Sequence, residues 1–326
     1  MSSYKKIFLL ISILIFFGIV FYFLKNSGMR EKFTISEKNI NPAEKQNIEK
    51  KPQIKILFVG DMMFDRYIRQ VSEKKGADFI FAKVNDLFQL SDLVVGNLEG
   101  PITDNKSVSV NSEFGSKNNY IFTFDPGIAN VLKNKNIGLV NIGNNHIENF
   151  GSSGLESTRK YLNSSGVDYF GDPENKGNES FIKNFDGFRI AFVSYNQFEI
   201  NGKRKALDAI NKVKKENPEL IFMYTHWGKE FLTEPQDDIK KLAYEFIDAG
   251  ADLIIGSHPH VVQGNEEYKG KNIFYSLGNF IFDQYFDLKT REGKIVQIMV
   301  DTKTKKVTFL ENKVEILNSG QTVLKK

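Results

Sequence analysis

Two histidines separated by a proline, His258 and His260, follow the apolar run Leu253-Ile254-Ile255 and the pair Gly256-Ser257. In an extended turn, positions i and i+2 face the same way, so both imidazoles are expected to aim at one point beyond the end of a buried strand. The chain has four histidines in all, and the other two, His146 and His226, also stand just after apolar runs. A lone histidine so placed reads as a hydrogen-bonded structural group. Four of them read as metal ligands, because neutral imidazole is the commonest metal-binding side chain. Other strand ends carry oxygen donors: Gly60-Asp61 closes the run Ile54–Val59, Asn97-Leu98-Glu99 follows Leu93-Val94-Val95, and Asn144-Asn145 precedes His146. Asp61, Glu99, Asn145, His226, His258 and His260 make a mixed nitrogen and oxygen set. Such a set suits one or two divalent transition ions, Mn, Zn or Fe, and not a soft Cu(I) site. Singly, each has an ordinary use: an Asp can cap a helix, and Asn residues make turns.

Open α/β sheets present such residues beyond the carboxyl ends of their strands. Apolar runs at Ile54–Val59, Leu93–Val95, Ile137–Ile142, Leu220–Tyr224 and Leu253–Ile255 read as buried strands, and Gly256 as the residue that lets the chain turn. Helical spacing is expected over Phe79–Leu90, Asn130–Lys135, Gly151–Ser164, Lys203–Glu216 and Asp237–Ala249. The lysines of Lys203–Glu216 read as a solvated face. Asp186-Gly187 between Phe181–Phe185 and Arg189–Tyr195 is a hairpin signal. The runs Asn272–Leu277, Phe280–Phe282, Lys294–Val300 and Val307–Ile316 suggest a second sheet packed on the first. The polar stretch Pro101–Pro126 reads as a rim over the site or a surface insertion.

At 326 residues, with 41% hydrophobic and 26% charged residues, the chain has the make-up of a globular protein. A net charge of +4 with scattered lysines leaves no nucleic-acid footprint. The absence of cysteine excludes disulfides, zinc–thiolate sites and a cysteine nucleophile. No phosphate-binding P-loop is present, so any ATP-driven polymerisation would need another protein. Near the amino terminus, Lys5 and Lys6 precede an apolar run from Ile7 to Leu24 interrupted only by Ser12 and Gly18, which reaches the lower limit for spanning a bilayer as a helix. We expect residues 1–6 to be a cytoplasmic stub, 7–24 an uncleaved signal anchor, 25–52 a solvated linker and 53–318 a domain outside the cell, followed by a tail at 319–326. Cleavage near Ser27 or Gly28 is the alternative.

The motifs G-D-M-M at Gly60, N-L-E at Asn97, N-N-H at Asn144, H-W-G-K-E at His226, G-S-H-P-H-V-V-Q at Gly256 and Y-S-L-G-N-F-I-F-D at Tyr275 together resemble the CapA family of capsule, or poly-γ-glutamate, biosynthesis proteins. The resemblance runs in order from about Ile54 to Asp283. It implies an α/β fold of the calcineurin-like metallophosphoesterase kind, a two-sheet β-sandwich flanked by helices, in a cell-surface, membrane-anchored protein. It also implies Asp61 and His260 on a first metal, Glu99 bridging, and Asn145, His226 and His258 on a second. His146 would be the proton donor to a leaving group in hydrolysis or transfer at a phosphoester or amide. Asn97, Asn144, Ser276 and Asn279 would support the site, Ser276 and Asn279 from a buried strand and turn. Trp227 could stack on substrate or pack, and Glu230 could hydrogen-bond His226 or be solvated. Three positions depart from the related patterns: Met63 stands where phosphoesterases carry the histidine of D-x-H, the longer Glu99 where they carry a bridging aspartate, and Asn149 where CapA-like chains tend to carry an aspartate. The implied partners are the bacterial membrane, an anionic polymer or phosphoester, and subunits of a membrane synthase. A non-catalytic polymer-binding subunit, or a surface phosphoesterase unrelated to capsule, are the rival expectations.

Overall fold

A computed structural model describes residues 51–174 and 178–325. The expected stub, the anchor at 7–24 and the linker up to residue 50 lie outside the described residues. Among the described residues no helix is long and apolar enough to cross a membrane. In chain order the elements begin with β1 (Gln53–Met62), α1 (Arg66–Lys75), α2 (Asp78–Phe81), α3 (Asn85–Gln89), β2 (Leu93–Leu98), α4 (Gly127–Asn134), β3 (Ile137–Asn141), α5 (Gly151–Ser165) and β4 (Asp168–Phe170). They continue with β5 (Ser180–Phe185), β6 (Phe188–Asn196), α6 (Gly202–Lys215), β7 (Leu220–His226), α7 (Asp237–Ala249), β8 (Leu253–Ser257), β9 (Asn265–Tyr268), β10 (Lys271–Phe274) and β11 (Asn279–Ile281). The last are β12 (Glu292–Asp301), β13 (Val307–Ile316) and β14 (Thr322–Leu324).

These strands form two sheets. The first runs β14-β13-β12-β1-β2-β3-β4, with β11 also paired to β1; the second runs β5-β6-β7-β8-β10-β9. The sheets face each other across a core that takes alternate residues of each strand, as a period of two requires. From β1 come Ile54, Ile56 and Phe58, packed against Phe192, Phe222 and Tyr224 of the other sheet. The intervening Leu57 and Val59 point the other way, into a second core under α1 to α5. The outer face of the second sheet is covered by α6 and α7 through Ala206, Ile210, Val213, Ala243 and Phe246. Central strands buried on both faces read as unbroken apolar runs, and this is why they stand out in the sequence.

The carboxyl-terminal strands do not make a second sheet of their own. β12 and β13 extend the first sheet beside β1, while β10 joins β8 in the other. Two pairing changes meet at the end of β1. β12 pairs with it over Gln53–Phe58, and β11 replaces β12 at Asp61 and Met62. The register with β2 shifts between Phe58 and Asp61, a bulge of the kind that re-aims a side chain. The Tyr224 hydroxyl crosses from the second sheet to donate to the Val59 carbonyl there (2.5 Å).

Other expectations need local correction. Phe79–Leu90 is two short helices, α2 and α3, broken at Val84, whose φ of −121° is not helical. The helix α1 was not expected; its signals are Asp65, which caps it by accepting from Arg66 N–H, and apolar Ile68 and Val71 on its buried face. Residues 322–324 of the expected tail form β14 on the edge of the first sheet, with Thr322 buried. The hairpin of β5 and β6 turns at Asp186 and Gly187, both at positive φ (48° and 87°), as its two-residue connection demands.

Candidate metal centre

The carboxyl ends of β1, β2 and β3 in one sheet and of β7 and β8 in the other converge. Asp61 is in register with Asn97, Asn97 with Asn141, and His226 with Ser257. Asp61, Asn97, Glu99 and His226 are fully buried. Gly256 belongs to β8 and is required for a different reason than turning. A Cβ there would lie 2.0 Å from the Tyr275 carbonyl oxygen. The turn proper is made by His258 and His260, both left-handed (φ 94° and 56°). It is therefore not extended as expected, yet the two rings still converge, with centroids 5.9 Å apart. Non-glycine residues held there cost about 1–3 kcal/mol each, and such strain gathers at functional sites.

An amide ladder orients the carboxylates. Asn97 Oδ1 accepts from Asn141 Nδ2 and Asn144 Nδ2, both at 3.1 Å. Its own Nδ2 is thereby turned toward Asp61 Oδ1 (2.8 Å), with His226 Nδ1 at 3.3 Å and Glu99 Oε2 at 3.5 Å. Asn141 escaped the sequence reading, although a polar residue inside the apolar run Ile137–Ile142 was its signal. Ser257 escaped it too; it meets His226 Nδ1 at 3.1 Å and donates to the Thr225 carbonyl. Asn145 Oδ1 lies 2.8 Å from His226 Nε2.

His260 decides what the centre can hold. Both amide hydrogens of Asn279 are committed, to Gln284 Oε1 and the Thr290 carbonyl. Its Oδ1 therefore faces His260 Nδ1 (2.9 Å), and Asp61 Oδ2 stands 3.4 Å from the same nitrogen. With two acceptors around it, Nδ1 carries a proton, and Nε2 is left facing the centre. It lies 3.5 Å from Glu99 Oε1, a buried oxygen with no hydrogen-bond partner. His258 Nδ1 is likewise buried without one. A ring nitrogen turned toward an unpartnered carboxyl oxygen, with a second unpartnered ring nitrogen beside them, fits a cation.

Burial dominates the electrostatics of the centre. Burial alone would lift the Asp61 carboxyl, but the hydrogen bond and charge of His260, with donors from Asn97 and the His258 backbone, hold it below the ordinary range. Glu99 is pushed well above the usual carboxylate range, by burial and then by Asp61. Burial, with the neighbouring imidazoles, keeps His226 well below the ordinary histidine value and takes His258 down to about 3. Burial also takes His146 to about 4. Neutral imidazoles at His226 and His258 are what a divalent ion requires, and a cation beside Glu99 would offset the burial and the Asp61 charge that favour its protonated form.

The bacterial capsule synthesis protein model PGA_cap matches residues 55–284, the stretch that carries every one of these residues. The chain belongs to this family. Among curated relatives, PGA biosynthesis protein CapA of Bacillus subtilis (strain 168) is 35% identical over 260 residues, 74% of this chain and 66% of that one. Capsule biosynthesis protein CapA of Bacillus anthracis is 31% identical over 266 residues, 75% of this chain and 63% of that one. The match thus spans just under two thirds of either relative. A hypothetical protein from Thermus thermophilus superposes with a TM-score of 0.49 at 14% identity, over 80% of this chain and 99% of that one. The sulfate thiohydrolase SoxB of Thermus thermophilus, in complex with glycerol, gives 0.41 at 11%, over 78% of this chain and 41% of that one. The two-sheet architecture rests on the strand order itself.

In this PGA_cap chain the candidate ligands fall into two neighbouring groups. Donor atoms of Asp61, Glu99 and His226 lie within 4.8 Å of one another, and so do those of Glu230, His258 and His260. Glu230 is thus grouped with His258 and His260 and not with His226. Trp227 is no stacking platform: it is fully buried and donates from Nε1 to the Tyr275 carbonyl (2.9 Å). Ser276 supports the turn, donating to the Val261 carbonyl and accepting from Gly278 N–H. His146 stands beside the centre, with Nε2 4.0 Å from Glu99 Oε1 and its ring 4.4 Å from Phe122. Asn149 faces it with an amide oxygen, Oδ1, 3.2 Å from Nδ1, so this side chain orients the ring without charge.

A cavity of about 380 Å³ opens onto His146, His260 and Glu230. Its walls include Arg66, Phe122 and Phe282, with Phe114 and Tyr120 from the 101–126 stretch, which serves as the expected rim. Asn279→Ala is expected to weaken metal binding by about 10–100-fold, since removing the partner that fixes a ligand's tautomer has that effect. Competition with a chelating dye would measure it, and an unchanged affinity would show that Asn279 does not orient His260.

Proposed function

We propose that this PGA_cap protein acts in the synthesis, export or anchoring of an anionic capsule polymer such as poly-γ-glutamate, through metal-dependent hydrolysis or transfer at a phosphoester or amide. The observation that carries the metal-dependent reading is the confrontation of His260 Nε2 with the unpartnered Glu99 Oε1. Asp61, Glu99, His226, His258 and His260, with the Asn145 amide oxygen, would hold one or two ions. When bound, such an ion supplies Lewis-acid charge stabilisation and an activated nucleophile. His146, neutral and turned by Asn149, would manage a proton at Nε2 on the cavity side. Arg66 places a positive charge in the cavity wall for an anionic substrate. It is held by Asp283, by Asn119 and by the faces of Phe122 and Phe282. The family likeness supports the capsule assignment, and the apolar run Ile7–Leu24 supports a single-pass anchor in the cell membrane with the domain outside.

The test uses the full chain, purified without a metal-affinity tag. Elemental mass spectrometry should find one or two transition ions per chain. Chelation should lower turnover across a panel of phosphodiesters and poly-γ-glutamate by at least about 100-fold. A folded protein that stays empty after exposure to Mn, Zn and Fe would sink the metal-dependent reading. Metal without turnover would favour a polymer-binding subunit.

A further inference from the structure

Strand β1 gives the centre one donor, Asp61. Two residues on, where the phosphoesterase pattern has a histidine, Met63 turns its sulfur to the backbone N–H of Asp65 (3.0 Å). A thioether in that contact offers nothing to a hard or borderline cation, so β1 cannot complete a second cation position. A carboxylate arrives from the opposite sheet instead. Past the end of β7, Gly228 N–H donates to Gln197 Oε1 (2.7 Å), and Phe231 N–H donates to the carbonyl of Pro259 (2.8 Å). Pro259 lies between the two histidines, so these bonds pin the intervening Glu230 over the turn that carries them. The three side chains then bring one donor atom each to within 4.8 Å of one another. His258 is only 4% exposed, and its Nδ1 has no partner. Glu230 itself is exposed, so the group is open to solvent on one side.

We propose that Glu230 is a metal ligand, forming with His258 and His260 a second divalent-cation position beside Asp61, Glu99 and His226 and supplying the donor that Met63 does not. The assignment rests on the reading of the centre as a metal site. One carboxylate and two imidazoles suit Mn, Zn or Fe and leave coordination places open toward the cavity. The position nearer solvent is the one expected to exchange its ion faster.

Full-length wild type and Glu230→Gln, stripped with chelator and then equilibrated with Mn²⁺, would be compared by elemental mass spectrometry. Melting temperatures of the stripped proteins would show that both are folded; for an exposed isosteric change they should coincide. The expected result is two ions per chain in wild type and one in the variant. Two ions in both, or one in both, would overturn the role of Glu230 and leave the Asp61–Glu99–His226 position standing. A wild type that takes up none would overturn that position as well.

Discussion

His226→Ala is expected to leave a folded protein that has lost the ion at the Asp61–Glu99–His226 position, about half of the wild-type metal when both positions are filled, given that even the partners behind a ligand are worth about 10–100-fold in affinity. His226 is the ligand on which the most other groups depend. It ends β7, is fully buried, and meets Asn97, Ser257 and Asn145 through its two ring nitrogens. His258 is no ready substitute, because its donor atom groups with those of Glu230 and His260. The imidazole is neutral in its buried setting, so its removal strands polar atoms but no charge, at about 1–3 kcal/mol. The fold should survive, and near-ultraviolet circular dichroism would confirm it. A folded His226→Ala that retained full metal would mean the ion is held elsewhere.

Gly60→Ala should do the greater damage to stability. A Cβ at Gly60 would stand 1.8 Å from the Gly278 carbonyl oxygen. That oxygen is backbone and is also bonded to Asp61 N–H (3.1 Å), so it cannot step aside cheaply. Forcing β1 and β11 apart would move Asp61 on one strand and Asn279, which orients His260, on the other. We expect a loss of at least about 3 kcal/mol, which is roughly 6–12 °C in melting temperature for a domain of this size, together with loss of metal. Thermal unfolding measures the first and elemental analysis the second. A shift under about 2 °C would show that the two strands are not in the contact described.

The strand ends were readable because two-sided burial writes strands as unbroken apolar runs, and the polar residue that ends each run is conspicuous. Asp61, Glu99 and the four histidines were found in this way. Sheet membership was not readable: whether β12 lies beside β1 or in another layer depends on pairing across hundreds of residues, and the local pattern of Lys294–Val300 is the same in either case. The conformation of the H-P-H turn was missed because nothing in those residue types announces a left-handed φ. Its direction is imposed by contacts such as Asp61 Oδ2 accepting from His258 N–H (3.1 Å). Glu230 was visible as a motif residue, but only the bond from Phe231 to Pro259 shows which histidines it serves.

The centre draws its ligands from both layers of the sandwich. Asp61 and Glu99 belong to one sheet, and His226, His258 and His260 to the other. An ion bound there acts as a rivet between them, and thermodynamic linkage makes its concentration a determinant of folding: at a hundredfold excess over its dissociation constant it adds about 2.7 kcal/mol to stability. Under the proposed metal-dependent function, metal scarcity would then shorten the lifetime of the folded protein as well as slow its chemistry, so that one supply of ions governs both how much of the protein persists and how fast each copy works.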